Sequence, residues 1–379
     1  MPFLPTLRAA VALLLALCLV CPPARALVTF NDGREHIYVT GSAGIGYDSN
    51  LFAHNQGGGD TLYTASVLAE YTRRAGWIGV NASVGLNLSQ FVDHTDQNST
   101  DPRLALEFVK GGGRTTGGLS LSAVREHRAD SAANLRAESW NYNGTLTVKY
   151  PVMERYSVAG TAGYSEQVYD AKYNLSNLQT TSIGADLLYA LESDRDLILG
   201  YRYRVVDSSR NAAFNDQSFT VGVSGRVMGR LTGSLRVGYQ IRDPRNHTIG
   251  GDFRGLTALG ELTYTPSKRF SVSGQLSRDL SVTSTDLSVD TFSGSITPRL
   301  TFNSRISVFA NVGGGTTRFL GINAAGRRDQ FFTFGGGVDY TISQHLKAEL
   351  AYTYFQNWSS LAYADYARNY YTLSLTSRW

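Results

Sequence analysis

The sequence predicts an all-β fold, a transmembrane antiparallel up-and-down β-barrel of about eighteen strands, and three observations carry the prediction. The chain ends on an alternating strand that stops at an aromatic residue. Short and long turn segments recur at a regular spacing. The large aromatic residues collect near strand ends rather than in strand middles.

In the closing segment, Tyr371, Leu373, Leu375 and Trp379 share one face, while Thr372, Ser374, Thr376 and Arg378 share the other. Chain termini usually fray, so a terminal Trp in a soluble domain has little to anchor it. In a membrane barrel the last strand closes against the first and its terminal aromatic sits at the membrane interface. Such a strand is also the signal that barrel assembly machinery recognises, so Tyr371, Leu373, Leu375 and Trp379 are expected to direct membrane insertion.

Residues 1–26 read as a cleaved signal peptide, with Arg8 in the n-region, an apolar core from Ala9 to Val20, and Ala24-Arg25-Ala26 as the cleavage site. That core is too short to span a bilayer. Cys18 and Cys21 leave with it, and neither follows the small residue that a lipoprotein site requires. The mature chain, 27–379, then has no thiol for disulfides, metal ligation or nucleophilic attack. The net charge falls from +4 to +2 when Arg8 and Arg25 depart, too little to suggest nucleic-acid binding. With 39 Gly, 22 Tyr and 17 Phe but no further long apolar run, the composition fits a barrel and excludes a helical membrane protein.

Turns near Arg74, Gly112, Met153, Ser193, Gly229, Ser267, Asn303 and Ser343 are spaced roughly 36 to 41 residues apart, room for two tilted strands and a loop. Nine longer polar stretches alternate with them: Ala53–Asp60, Asp93–Asp101, Arg128–Leu135, Asp170–Asn177, Asp207–Asp216, Asp243–Phe253, Thr283–Val289, Gly321–Arg328 and Asn357–Tyr366. Short periplasmic turns and longer extracellular loops give about eighteen strands, with sixteen as the alternative count. The whole mature chain is expected to form one barrel domain with no plug, and its lumen to be an aqueous channel.

Alternation assigns the faces. Leu197, Leu199, Tyr201, Tyr203 and Val205 oppose Arg202 and Arg204, and Leu235, Val237, Tyr239 and Ile241 oppose Arg236 and Arg242. Periodicity cannot separate a lipid-facing wall from a soluble core, but aromatic placement can. Tyr150, Tyr156, Tyr189, Tyr264 and Tyr340 lie beside short turns, and Tyr47, Tyr164, Phe219, Tyr239 and Tyr371 lie near loops. Aliphatic residues fill the interval between these two bands.

Inward positions carry both charge signs. Glu70, Lys149, Asp186, Glu261, Arg299, Asp339 and Lys347 read as ion pairs between neighbouring strands. Arg202 and Arg204 on the ninth strand, Arg226 on the tenth, and Arg236 and Arg242 on the eleventh stand out, because no acidic residue on those strands is expected inward at their depth. Such an arginine arc attracts anions and can pair bidentately with carboxylates or phosphates. The other reading pairs them with acids on an inward-folded loop, or with Glu107 or Glu261 across the lumen. Asp48 and Asn50 are expected at the pore mouth, either forming a turn or binding sugar or Ca²⁺.

Catalytic signatures are absent: no G-x-S-x-G, no H-E-x-x-H, and six His scattered without metal-ligand spacing. Gly250-Gly251-Asp252-Phe253 reads as a turn. His127 near Ser120 and Ser122 is the one combination that could be compared with a lipid-facing hydrolase. No enzyme, cofactor or metal is expected.

The segment Gly41-Ser42-Ala43-Gly44-Ile45-Gly46-Tyr47-Asp48-Ser49-Asn50-Leu51-Phe52 resembles the opening strand of the putative β-barrel porin type 2 family, whose members often begin Gly-x-Gly-Tyr-Asp-(Ser/Asp)-Asn-(Leu/Val)-Phe. The resemblance implies an integral protein of the Gram-negative outer membrane, among outer-membrane lipid and lipopolysaccharide, that serves export of a surface polysaccharide. It implies no catalytic residue. A porin-like conduit for an exopolysaccharide, a general diffusion porin for small solutes, and a non-conducting partner of a polysaccharide assembly complex with periplasmic export components remain the three functional readings.

Overall fold

In the computed structural model, the described residues are 28–31, 34–74, 76–246, 250–324 and 326–379. The proposed signal peptide and its cleavage site lie outside them. A short strand β1 (Val28–Phe30) pairs with the first barrel strand. The barrel then runs β2 (Glu35–Asp48), β3 (Asp60–Arg73), β4 (Gly79–Phe91), β5 (Ser99–Lys110), β6 (Thr116–Asp130) and β7 (Leu135–Pro151). It continues through β8 (Tyr156–Tyr169), β9 (Leu178–Glu192), β10 (Arg195–Ser208), β11 (Ala213–Met228), β12 (Leu231–Pro244) and β13 (Phe253–Ser267). The last third is β14 (Phe270–Val282), β15 (Ser288–Thr301), β16 (Ile306–Leu320), β17 (Arg328–Thr341), β18 (Leu346–Ser359) and β19 (Tyr366–Arg378).

Every barrel strand pairs antiparallel with its sequence neighbours, and β19 returns to β2 from Arg378↔Thr40 to Tyr370↔Asp48. Reciprocal backbone bonds of 2.9 Å between Val39 and Trp379 extend that seam to the last residue. Closure satisfies the edge backbone groups that an open sheet would leave bare in hydrocarbon. The Trp379 ring stacks on His345 at 4.0 Å, and its indole N–H donates to Ser377 Oγ at 2.8 Å, so the C-terminus is fixed in place. The eighteen barrel strands are joined at the eight short turns and nine longer loops expected from the repeat.

The outward face is apolar. Tyr47, Tyr164, Phe219, Tyr239 and Tyr371 stand exposed in one band and Tyr150, Tyr156, Tyr264 and Tyr340 in the other, with Val67, Val84, Ile183, Leu199, Val221, Leu350 and Leu373 between them. Such a surface would drive aggregation in water and is satisfied by lipid. Leu373 sits half-exposed in the register row Leu350↔Leu373↔Ile45. Leu373→Arg is therefore expected to destabilise the barrel by about 2–4 kcal/mol in bilayers, the cost of a mid-depth arginine. Unfolding titrations in liposomes measure this, and a change near zero would place Leu373 outside the lipid belt.

Candidate functional site: the upper lumen

The strands do not all end level. β5 pairs with β6 only as far as Arg103↔Val124, and β7 with β8 only as far as Ser139↔Tyr169. The β6–β7 pair continues to Asp130↔Leu135. Its tip therefore projects beyond both neighbours and lies over the mouth. Arg327, in the loop between β16 and β17, donates to the carbonyls of Ser131 (3.1 Å) and Ala132 (3.3 Å), and Asn134 Nδ2 donates to the carbonyl of Ala53 at 2.6 Å. These contacts join loops from far sides of the barrel. His127 belongs to the same hairpin, where its ring nitrogens face Asp101 (2.6 Å) and Glu138 (3.2 Å) rather than Ser120 or Ser122.

A second hairpin bends inward. β13 pairs with β14 only as far as Ala258↔Arg278, leaving Asp279 to Val282 free of that neighbour. The Leu280 carbonyl accepts from Arg204 at 2.7 Å and the Ser281 carbonyl from Arg242 at 3.0 Å. Asp286 at the tip accepts from the Ser208 hydroxyl and from the backbone N–H groups of Asn211 (3.1 Å) and Ala212 (3.0 Å). Val282 then packs against Val206, Ala212 and Phe214, an apolar latch inside the lumen. The aqueous channel expected from the sequence is narrowed from above by these two hairpins. Loop length could not reveal this, because the inward segments are strand ends whose neighbours stop early.

The arginine arc also differs from its expected form. β11 begins at Ala213, inside the stretch expected to be loop, so Asp216 is a strand residue directly opposite Arg204 on β10 and Arg242 on β12. An acid therefore does face inward at that depth. Arg242, fully buried, holds Asp216 through Nε at 2.6 Å and Nη2 at 2.7 Å, and its Nη1 donates to Ser288 Oγ at 2.8 Å. Arg204 donates to Asp216 at 2.7 Å and to Asp279 at 2.9 Å, and Arg202 reaches Asp279 at 3.3 Å. Neither Glu107 nor Glu261 is a partner in these ion pairs. Three guanidinium groups share two carboxylates, leaving one surplus positive charge.

Arg236 crosses Gly222 and Gly200 to reach Asp186 on β9 at 2.9 Å. A Cβ at Gly222 would meet the Leu235 carbonyl at 2.4 Å and the Arg236 stem at 2.9 Å, so that position must lack a side chain, and one at Gly200 would push on the Asp186 carboxylate at 2.5 Å. Arg226 lies at the short-turn end, paired with Asp194 at 2.8 Å. The rim pairs are Lys149–Asp196, Arg299–Asp339, Lys347–Asp339 and Arg378–Glu70.

Asp48 and Asn50 sit at the mouth, both almost wholly buried. Asp48 accepts from Arg368 through both oxygens, at 2.9 and 2.5 Å, and from the Asn50 backbone N–H at 3.0 Å. Asn50 Nδ2 donates to the carbonyls of His54 and Ala367. Their geometry is that of the turn, with Asp48 occupied by Arg368. Among the described residues, no group of three or more His, Cys, Asp or Glu could hold a metal ion.

Two arginines on the wall formed by β4 to β7 escaped the sequence reading. Arg103 points inward over Gly85 beside Leu68, and Arg136 lies over the Phe91 ring at 4.7 Å. Among the described residues neither forms an ion pair, and the Nε of each is buried without a hydrogen-bond partner. Arg103 lies on the lumen face that alternation assigns, so its parity was a usable signal. Arg136 gave none, because it belongs to the part of the hairpin that leaves the barrel wall.

Removing the bridge over the mouth has a measurable consequence. Arg327→Gln with Asp329→Asn deletes a buried pair and the two anchors on the β6–β7 tip, and is expected to raise single-channel conductance by about twofold. An unchanged conductance would mean that the hairpin does not limit flow.

Fold comparison agrees with this architecture. The chain superposes on Pseudomonas aeruginosa OccK2 (OpdF) in complex with glucuronate with a TM-score of 0.53 at 11% identity, covering 93% of this chain and 99% of that one. OpdK from the same organism with vanillate gives 0.51 at 11% identity over 90% and 99%, and another structure of OccK2 gives 0.50 at 11% over 91% and 97%. At such identity the likeness establishes the fold alone. No curated protein matches the sequence. Residues 215–379, a stretch separate from the opening strand, match the family described as "Putative beta-barrel porin 2". That family is the one the first strand resembles, and the closed eighteen-strand barrel fits both the match and the resemblance.

Proposed function

We propose that the protein is an outer-membrane channel passing an acidic saccharide, and that its role is export of an exopolysaccharide. The observation that carries the reading is uncompensated positive charge in the upper lumen: Arg103 and Arg136 without ion pairs on one wall, and three arginines sharing two carboxylates on the other. A confined lumen amplifies such charge, and guanidinium forks suit carboxylates. The ligands named with the similar OccK2 and OpdK structures, glucuronate and vanillate, each carry a carboxylate, which is consistent with this substrate class.

Lumen-facing Ser83, Ser120, Ser122, Asn143 and Thr145 line a cleft of about 520 Å³ toward the short-turn end. Their hydrogen bonds are weak and exchangeable, so a hydrated polymer can move past them. The signal peptide would deliver the chain to the periplasm, and the strand bearing Tyr371, Leu373, Leu375 and Trp379 would present it to the barrel assembly machinery. Periplasmic export components would supply the polymer. No catalytic step is assigned to any residue.

The inward hairpins favour a second reading, a shut barrel that scaffolds a polysaccharide assembly complex. Release of oligogalacturonate from proteoliposomes separates the two. Release that exceeds release of an uncharged oligosaccharide of equal length supports the acidic-saccharide channel. Retention of both by correctly folded barrels supports the scaffold.

A further inference from the structure

The outward aromatics are explained by lipid, but a set of inward rings is not. Phe331 on β17 and Phe355 on β18 face the lumen with centroids 6.0 Å apart and planes inclined by only 19°, and Tyr366 on β19 continues the row at 5.6 Å from Phe355. A Cβ at Gly315 would lie 2.7 and 2.8 Å from Phe331 Cζ and Cε1. The Cζ–Cε1 edge of the ring therefore covers the space that a side chain at Gly315 would need. Phe309 lies on Gly337 in the same way, but the Arg299 guanidinium covers it at 5.1 Å. Phe331 and Phe355 are only half-buried.

We propose that Phe331 and Phe355 form a stacking platform for pyranose rings, a sugar-binding subsite on the channel wall. This deepens the proposed function and rests on its saccharide substrate. A pyranose presents a C–H face that packs on an aromatic ring and a rim of hydroxyls that needs polar partners. Both are available here. Phe355 stands directly opposite Arg368 in the strand register, and the Arg368–Asp48 pair leaves the Arg368 side chain one-third exposed as a donor beside the rings. A purely apolar occupant would leave that pair uncovered, and a small inorganic anion would have no use for the flat rings. Arg136 lies nearby, with Arg368 and Asp48 both in its electrostatic surroundings, so a carboxylate on the same or the next sugar has a cation to meet.

Two probes and two measurements test this. Maltotetraose and tetragalacturonate are titrated against the refolded barrel by saturation-transfer NMR, and against channel current in planar bilayers. Phe355→Leu with Phe331→Leu keeps apolar filling over the glycine but removes the flat rings. The variant is expected to lose about tenfold in affinity for both sugars, roughly 1.4 kcal/mol, while its ion selectivity stays that of the wild type. Arg136→Gln is expected to weaken only the galacturonate. Equal sugar affinity in the wild type and the Leu variant overturns the platform, because rings that merely fill space over Gly315 would change stability and not binding. Anion-selective current with no sugar binding by the wild type overturns the platform and leaves the channel standing. Sugar binding without any current overturns the channel and leaves the platform standing.

Discussion

Asp216→Asn is expected to destabilise the barrel by about 3–5 kcal/mol, the cost of leaving a buried charge without its partner. Asp216 is the carboxylate between Arg204 and Arg242, and Arg242 is fully buried. Asparagine preserves the shape and removes the charge, so the effect reports electrostatics rather than packing. Arg204 retains Asp279, whereas Arg242 loses the only carboxylate it pairs with among the described residues. The double variant Asp216→Asn with Arg242→Gln removes both charges and is expected to recover half or more of the loss, since a broken buried pair costs more than an absent one. Urea unfolding in micelles measures both variants. The single variant should also loosen the β14–β15 hairpin, because Arg204 and Arg242 hold it at the Leu280 and Ser281 carbonyls while Asp286 and Val282 keep its tip in place. Faster tryptic cleavage at Arg278 reports that loosening. Wild-type stability in Asp216→Asn would mean that Arg242 is solvated in the membrane-embedded protein.

The second large effect concerns selectivity. Arg103→Gln with Arg136→Gln is expected to lower the anion-to-cation permeability ratio about five- to tenfold. At an effective dielectric constant of about 20, a unit charge about 10 Å from a permeating ion contributes about 1.7 kcal/mol. Salt screening cuts this toward 1 kcal/mol in all, which sets the size of the change. Neutralising Arg236 and Asp186 together instead should matter less, because the two charges already balance. The ordering is the informative part: the unpaired arginines should outweigh the ion pair. The reverse ordering would return selectivity to the arc on β10 to β12.

The strand count, the turn positions and the lipid-facing residues were legible in the sequence because they follow from period-two alternation and from where Tyr and Phe sit along each strand. Leu199 and Leu373 needed no tertiary information to be placed outside. The lumen was harder for a specific reason. Asp216 looked like a loop residue because Asp207 to Asp216 is polar, yet a mouth strand beyond the lipid can be polar on both faces and still pair. Whether Arg204 and Arg242 are free or paired turns on one such boundary. Arg136 and the Leu280 to Val282 segment depend on strands that leave their neighbours, a property of seams between strands that no single strand encodes. The Phe331 platform was masked in another way. Its neighbours Phe332 and Phe334 carry the outward pattern, and the glycine it covers lies on a different strand.

The most direct test of the central claim, a conducting lumen with net positive charge, is the reversal potential of single channels of the refolded mature protein in a planar bilayer under a KCl gradient. The expected result is open channels whose reversal potential has the sign of chloride preference, reduced toward zero by Arg103→Gln with Arg136→Gln. Cation-preferring channels would contradict the charge assignment, and a silent membrane containing correctly folded barrels would contradict the channel itself.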